Sequence, residues 1–449
     1  MSEALWHKNK LILYLLITFS AAGYYWLCYQ TQRENFFQVF GLFSFLFAAY
    51  YLLYRFFSAG YFKYLFIAGI SFRLLLLFSV PNLSDDVYRF IWDGRLAANG
   101  INPFSHLPRE IMQMPAVTGI SKELFVLLNS PSYYTIYPPV LQGMFLLTGK
   151  LFPVNVFSAI VFMKCMIVIV ELGTFYLVIQ LLKKMSLPKH LSLLYILNPL
   201  VIAELTGNVH FEGVMVFFVL LSFLFLLNYN MQLSAVSLGV GIATKLVPVL
   251  FLPLIINKLG WNKGLLFAAI SGLITIALFA ALFDWDTMLH MLNSVNLFFQ
   301  HFEFNASIYY LVRYIGTVTM GFNIIAIAGP ALILIGGLII CMISFKGKNI
   351  SSRSYFTKGL FVITAWYLFS TTIHPWYICL PVAVSIFTQY KYAIIWSYLT
   401  TFSYYAYQSI PVKENLELIA FSYLILAGFA FWEFRNKNNK FSNTSQQNT

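Results

Sequence analysis

Leu11–Cys28, Phe37–Tyr54 and Tyr64–Val80 come in quick succession, each 17 or 18 residues long and nearly free of charge. A helix needs about 20 apolar residues to cross the hydrocarbon core of a bilayer. The pattern recurs at Phe157–Leu182, Leu191–Leu205, Phe211–Leu227, Leu265–Phe283, Ile324–Phe345, Leu360–Ile373, Trp376–Phe387, Tyr392–Ile410 and Leu416–Phe434. A water-soluble fold cannot bury so many such runs in 449 residues of which 60% are hydrophobic and only 10% charged. The chain is therefore expected to be an all-α polytopic membrane protein, a bundle of about 12–14 transmembrane helices.

The formal charge of +12 would suit nucleic acid if the basic residues were gathered, but they are scattered through the loops between apolar runs. Orientation by the positive-inside rule and contact with anionic lipid account for them, and no nucleic-acid partner is expected. With both termini cytoplasmic, Arg55, Lys63, Lys183, Lys184, Lys258, Lys346 and Lys391 fall inside, while the short outer loops keep little beyond Arg33 and Lys413. That orientation places the long loop of about 81–136, the Asn208–Gly213 turn, the loop 284–309 and the Ile373–Tyr377 turn on the outer side of a plasma (inner) membrane. Lys8 and Lys10 precede the first run with no small-residue cleavage site after it, which reads as an uncleaved anchor. Residues 1–434 are expected to form one domain and 435–449 a polar, disordered cytoplasmic tail. Cys28, Cys165, Cys341 and Cys379 are far apart and give neither a disulfide framework nor a metal-binding spacing.

Two segments break the spanning pattern. Between Leu233 and Ile256 the run is interrupted by Lys245, Pro248 and Pro253 and is expected to form two short half-helices, an arrangement tolerated where it lines a polar cavity. Tyr137–Phe152 is expected to be a partial or interfacial helix.

Chemistry needs polar groups, and these are concentrated. Asp85, Asp86, Arg89, Asp93 and Arg95 place five charges within eleven residues. Ser84 followed by two acids predicts the start of an amphipathic helix, with Val87, Phe90 and Ile91 as its apolar stripe. The acids could simply complement the helix dipole, and Arg89–Asp93 has the spacing of an i,i+4 pair. Alternatively, a carboxylate there can act as a base, beside cations that stabilise a departing phosphate. Lys245, in an otherwise apolar stretch, is the first such cation, if it does not merely snorkel to the interface. Arg73 inside the third run is a second. The stretch Asn198–Gly213 adds Glu204, His210 and Glu212, and the Ile373–Tyr377 turn adds His374 and Trp376 as candidate phosphate- or sugar-binding groups. Glu171 and Lys164 could pair with each other or line a cavity. No nucleotide-binding loop is present, so an outward-facing transferase would draw on a lipid-linked donor.

The string SDDVYRFIWDGRLAANGINPF resembles the first outer loop of bacterial polyprenyl-phosphate-mannose-dependent mannosyltransferases of the GT-C class. Tyr137–Pro139, Asn198–His210 and Ala243–Pro248 fit the same family in order, from about residue 70 to 255. The resemblance implies a GT-C-like helical fold with a catalytic Asp in the first outer loop, carried here onto Asp85 or Asp86. Relatives place that Asp first in an acidic pair, which favours Asp85; this chain has Asp as the second acid and Phe90 where Tyr is common. The expected activity is inverting transfer of a hexose, mannose first, from a polyprenyl phosphate to a glycolipid, glycan or protein acceptor. Asp85 and Asp86 would supply base and orientation, and Arg89, Lys245, His210, Arg73, Glu204, His374 and Trp376 would bind donor phosphate and substrate. No cofactor, no metal ligand and no obligatory metal are expected. The alternative class is a secondary transporter or flippase of lipid-linked sugars, which two similar halves and midplane charges would favour.

Overall fold

In lipid the α-helix satisfies every backbone donor and acceptor within one segment, and this chain is built accordingly. The computed structural model describes residues 9–282, 285–347 and 351–446. It is helical throughout, and among the described residues the only extended pairing is an isolated bridge between Phe304 and Thr372. Phe283 and Asp284, where one expected span meets an outer loop, lie outside the described residues, as does Lys8.

Among the described residues six helices are long and apolar enough to cross a bilayer: Lys10–Gln30, Phe36–Phe57, Val156–Lys184, Trp261–Ala280, Ile325–Phe345 and Leu416–Asn436. The pair Lys189–Ile196 and Pro199–Gly207, bent by 51°, is long and apolar enough when its two parts are taken together. The remaining apolar runs fold as shorter helices, such as Glu212–Leu227 and Met231–Ile242. Together they make the chain an all-α polytopic membrane protein, as the apolar runs predict. The last helix runs Leu416–Gln446, so helical backbone continues past residue 435.

The breaks have local causes. Pro199 cannot continue a helix from the preceding turn. Asn198 caps the new one, its side-chain oxygen accepting from the Leu200 and Val201 amides at 3.0 and 3.2 Å while its amide donates to Ser397 at 2.9 Å. The interruption anticipated near Lys245 is present: Met231–Ile242 ends, a 3-10 turn runs Val247–Phe251, and Leu252–Leu259 follows.

The loop helix expected after Ser84 spans Asp86–Ala98, with Asp85 at the N-cap position and the Ser84 hydroxyl accepting from the Asp86 amide at 3.3 Å. Val87, Phe90 and Ile91 are buried, as the stripe predicts, but so are Arg89, Trp92, Asp93 and Arg95. The long loop folds back over the polar side: Arg89 donates to the Ser130 and Tyr133 carbonyls, and Arg95 to those of Gly119 and Val154. On its apolar side the helix meets Pro139–Leu151, with Phe90 stacked on Phe145 at 4.7 Å. The two backbones nearly touch. A Cβ at Gly94 would lie 2.1 Å from the Phe145 carbonyl oxygen, and one at Gly149 would lie 2.2 Å from that of Gly94.

The segment leading into the helix is tied down as well. Asn82 donates to the Leu27 and Thr31 carbonyls, and the Leu83 amide donates to the Asn208 side chain at 3.2 Å. Asp85 and Asp86 are therefore presented from a rigid platform.

Gly94→Ala or Gly149→Ala forces two backbones apart, and is expected to lower stability by about 1–3 kcal/mol or more. Gly143, on the same helix as Gly149, has nothing within 4 Å of its virtual Cβ. Gly143→Ala should be neutral or stabilising by up to about 1 kcal/mol. Thermal unfolding of the three variants in detergent checks this; equal behaviour would contradict the packing.

Candidate active site

Asp86 occupies the first turn of the loop helix, where the helix dipole favours a carboxylate. One of its oxygens accepts from the Asn129 amide at 2.7 Å; the other lies 3.8 Å from His210 Nε2, an ion pair too long for a direct hydrogen bond. His210 comes from the turn after a π-helical stretch, Ile202–Gly207. Its neighbour Val209 has φ 62°, a conformation that a β-branched residue rarely adopts and that stores of order 1–3 kcal/mol. His210 Nδ1 is 3.0 Å from Glu204 Oε2 and 3.1 Å from the Glu204 carbonyl oxygen. The other Glu204 oxygen accepts from the Tyr404 hydroxyl and the Asn208 amide. Carboxylates from two different elements thus bracket one imidazole.

The electrostatics follow from that bracket. Burial opposes a charge on His210, but Asp86 and Glu204, with Glu212 behind them, outweigh it and push its pKa up to about 9. Burial would raise the Asp86 carboxyl, yet His210 and Asn129 prevail and hold it below its ordinary value. At neutral pH the pair is imidazolium and carboxylate.

The Ile373–Tyr377 turn closes over this pair. Trp376 stacks on His210 at 3.7 Å and on His374 at 4.5 Å, and His374 stacks on Phe304 at 4.9 Å. Trp376 is buried, and these protein rings, not a free face, are what it offers. Burial drives His374 down to about 3, so it is neutral. His374 Nδ1 and His210 Nε2 are both buried without a hydrogen-bond partner. Buried polar atoms are ordinarily satisfied, and two orphans in one ring stack mark a place for a ligand oxygen.

Two cations stand beside the acids. Lys245 pairs with Glu212 and lies 3.9 Å above the Tyr377 ring, with its side chain partly exposed. Arg33 pairs with Asp85 at 2.6 Å and lies over Tyr407 at 5.2 Å.

The structure therefore brings together Asp85, Asp86, Glu204, His210, Lys245, His374 and Trp376. Arg73 and Arg89 are engaged elsewhere. Arg73 is buried against Glu171, with Nη2 at 2.9 Å and Nη1 donating to the Gly69 and Ile196 carbonyls. Arg89 Nε meets Asp93 at 2.8 Å, and Asp93 also accepts from Thr135 and Gln142 at 2.5 and 3.1 Å. Lys164 and Glu171 do not pair with each other: Lys164 donates to Ser79 and the Leu76 carbonyl. Arg33, Asn129, Tyr377, Tyr404 and Tyr407 were not singled out from the sequence. Their types are common in this chain, and only the fold brings them to the acids. Among the described residues no group of three or more His, Cys, Asp or Glu is arranged to hold a metal ion.

A family model described as the N-terminal domain of alpha-(1->6)-mannopyranosyltransferase matches residues 20–259, just over half of the chain. No curated protein and no solved structure matches.

The matched region includes the Arg89–Asp93 network, whose role can be checked by its energy. Asp93→Ala leaves a buried guanidinium uncompensated, and is expected to lower stability by about 3–5 kcal/mol. Reduced yield and a lower melting temperature in detergent are the readout. A variant that melts like wild type would show that the network does not hold the loop helix.

Proposed function

The chain belongs to the alpha-(1->6)-mannopyranosyltransferase family, and from that premise we propose how this multi-pass membrane mannosyltransferase works. It takes mannose from a polyprenyl-phosphate donor and passes it to a hydroxyl of a glycolipid, glycan or protein acceptor, with inversion at the anomeric carbon. The observation that carries the reading is the meeting of the acidic pair with His210 and Arg33, with Lys245, held by Glu212, over Tyr377 of the turn that closes on them.

Asp86 is the base. Its carboxylate takes the proton of the acceptor hydroxyl as that oxygen bonds to the anomeric carbon. The bond from that carbon to the phosphate oxygen breaks, and its electron pair leaves with the polyprenyl phosphate. Lys245 and Arg33 face the charge that develops there. Asp85, first in the pair, serves by holding Arg33 rather than by accepting the proton. This exchanges the roles that the resemblance suggested, because Asp85 is committed to a guanidinium and Asp86, with 20% of its side chain exposed against 35%, is the more enclosed of the two. His374 supplies a neutral imidazole to a substrate oxygen. Arg73, buried against Glu171, supports the framework.

The scatter of Lys and Arg supports a site on the extracytoplasmic face of the plasma (inner) membrane, with both termini inside. No obligatory metal enters the scheme. The polar groups gather in one cluster rather than in two matching halves, which supports an enzyme over a flippase of lipid-linked sugars.

Purified protein with radiolabelled polyprenyl-phosphate mannose and candidate acceptors tests the scheme. Asp86→Asn should lower transfer by about 10²–10⁴-fold with little change in donor KM. Lys245→Ala should chiefly raise donor KM, and EDTA should leave the rate unchanged. Wild-type transfer by Asp86→Asn removes the base assignment, and activity with a nucleotide sugar but not the lipid donor removes the donor class.

A further inference from the structure

We infer that His210 is a positioning residue for Asp86, held in turn by Glu204, and that sugar transfer requires this buried line to carry a charged imidazole between the two acids. The inference rests on the reading of Asp86 as the base.

His210 Nδ1 is held by Glu204 at 3.0 Å, while Nε2, which has no hydrogen-bond partner, faces the Asp86 carboxylate across 3.8 Å. The ring cannot swing away, because Trp376 covers one of its faces at 3.7 Å and the strained Val209 precedes it. Glu204 is itself fixed by the Tyr404 hydroxyl and Asn208. The inaccessible Glu204 therefore aims an almost inaccessible His210 at Asp86, whose side chain is 20% exposed.

The longer distance to Asp86 is what the chemistry needs. A hydrogen bond of about 2.8 Å from His210 would take up one lone pair of the Asp86 oxygen and lower its basicity toward the acceptor's proton. At 3.8 Å the imidazolium keeps the carboxylate ionised and oriented but leaves that oxygen free. The groups facing His210 are Asp86 on the loop helix, Glu204 on the π turn, Glu212 at the start of the next helix, and His374 from the closing turn. Asp86 and Glu204 do most to keep the ring charged, and Glu212, paired with Lys245, adds to them from behind.

The test is the pH profile of kcat/KM for wild type, Glu204→Gln and His210→Gln. Each profile is normalised to its own maximum, so that a smaller folded fraction cancels. Wild type should show a bell whose alkaline limb falls near pH 9, where His210 loses its proton and transfer stops as pH rises. Glu204→Gln should move that limb down by about one pH unit or more. His210→Gln should abolish the alkaline limb and shift the acidic limb upward, because Asp86 then protonates more readily. A wild-type profile flat beyond pH 10, or limbs unmoved in Glu204→Gln, overturns the inference. A higher donor KM with unmoved limbs in His210→Gln overturns it too, and makes His210 a donor-binding group. Where a variant is too weak to profile, the wild-type limb decides alone. Wild-type transfer by Asp86→Asn defeats the base assignment; an inactive Asp86→Asn together with unmoved limbs in Glu204→Gln defeats only the role of His210.

Discussion

A charge taken out of water has to find its opposite inside the protein or, as Arg95 and Lys164 do, backbone carbonyls and a hydroxyl, because an isolated buried ion is penalised by several kcal/mol even after relaxation. In a chain with so few charges this rule organises the molecule. Arg73 finds Glu171, Arg89 finds Asp93, Lys245 finds Glu212, Arg33 finds Asp85, and His210 finds Glu204 and Asp86. The first two pairs are closed: each has additional hydrogen bonds and neither member reaches solvent. The other three retain partial exposure or an unpartnered nitrogen. That difference separates scaffold from site more cleanly than residue type does.

The scaffold explains why an acid on a long loop can be placed accurately. A loop helix resting on one face would rock, and its first-turn carboxylate would move with it. Here Gly94 and Gly149 let two backbones touch on one side, while Arg89 and Arg95 draw the returning loop over the other. Asn208 ties the start of this platform to the turn that carries His210. Base and imidazole are thus anchored to one another through the backbone as well as through their charges, which is the kind of support that preorganised sites require.

Much of this was legible before any coordinates. Helical class, membrane residence, the loop helix with its buried stripe, the Arg89–Asp93 pair and the interruption around Lys245 all follow from local pattern, and local pattern is what a sequence carries. What escaped was tertiary. Arg33 sits 52 positions before Asp85, and Glu212 33 before Lys245, with nothing in the intervening residues to announce the pairing. Arg73 has the isolation in an apolar run that suggested a substrate cation in Lys245, yet it finds a buried glutamate on another helix. Trp376, a candidate substrate-binding group by sequence, stacks its ring on two histidines.

The central claim is that the Asp86 carboxylate meets the sugar donor beside Lys245 and Arg33. The most direct measurement is an experimental structure of the protein in lipid with a non-transferable polyprenyl-phosphate mannose analogue. The account predicts the sugar ring within reach of Asp86, a phosphate oxygen drawn to Lys245 or Arg33, and a ligand oxygen on His374 Nδ1. A headgroup resting among the basic loops at Lys183, Lys258 or Lys346, with the Asp86–His210 pair undisturbed and empty of ligand, would contradict it.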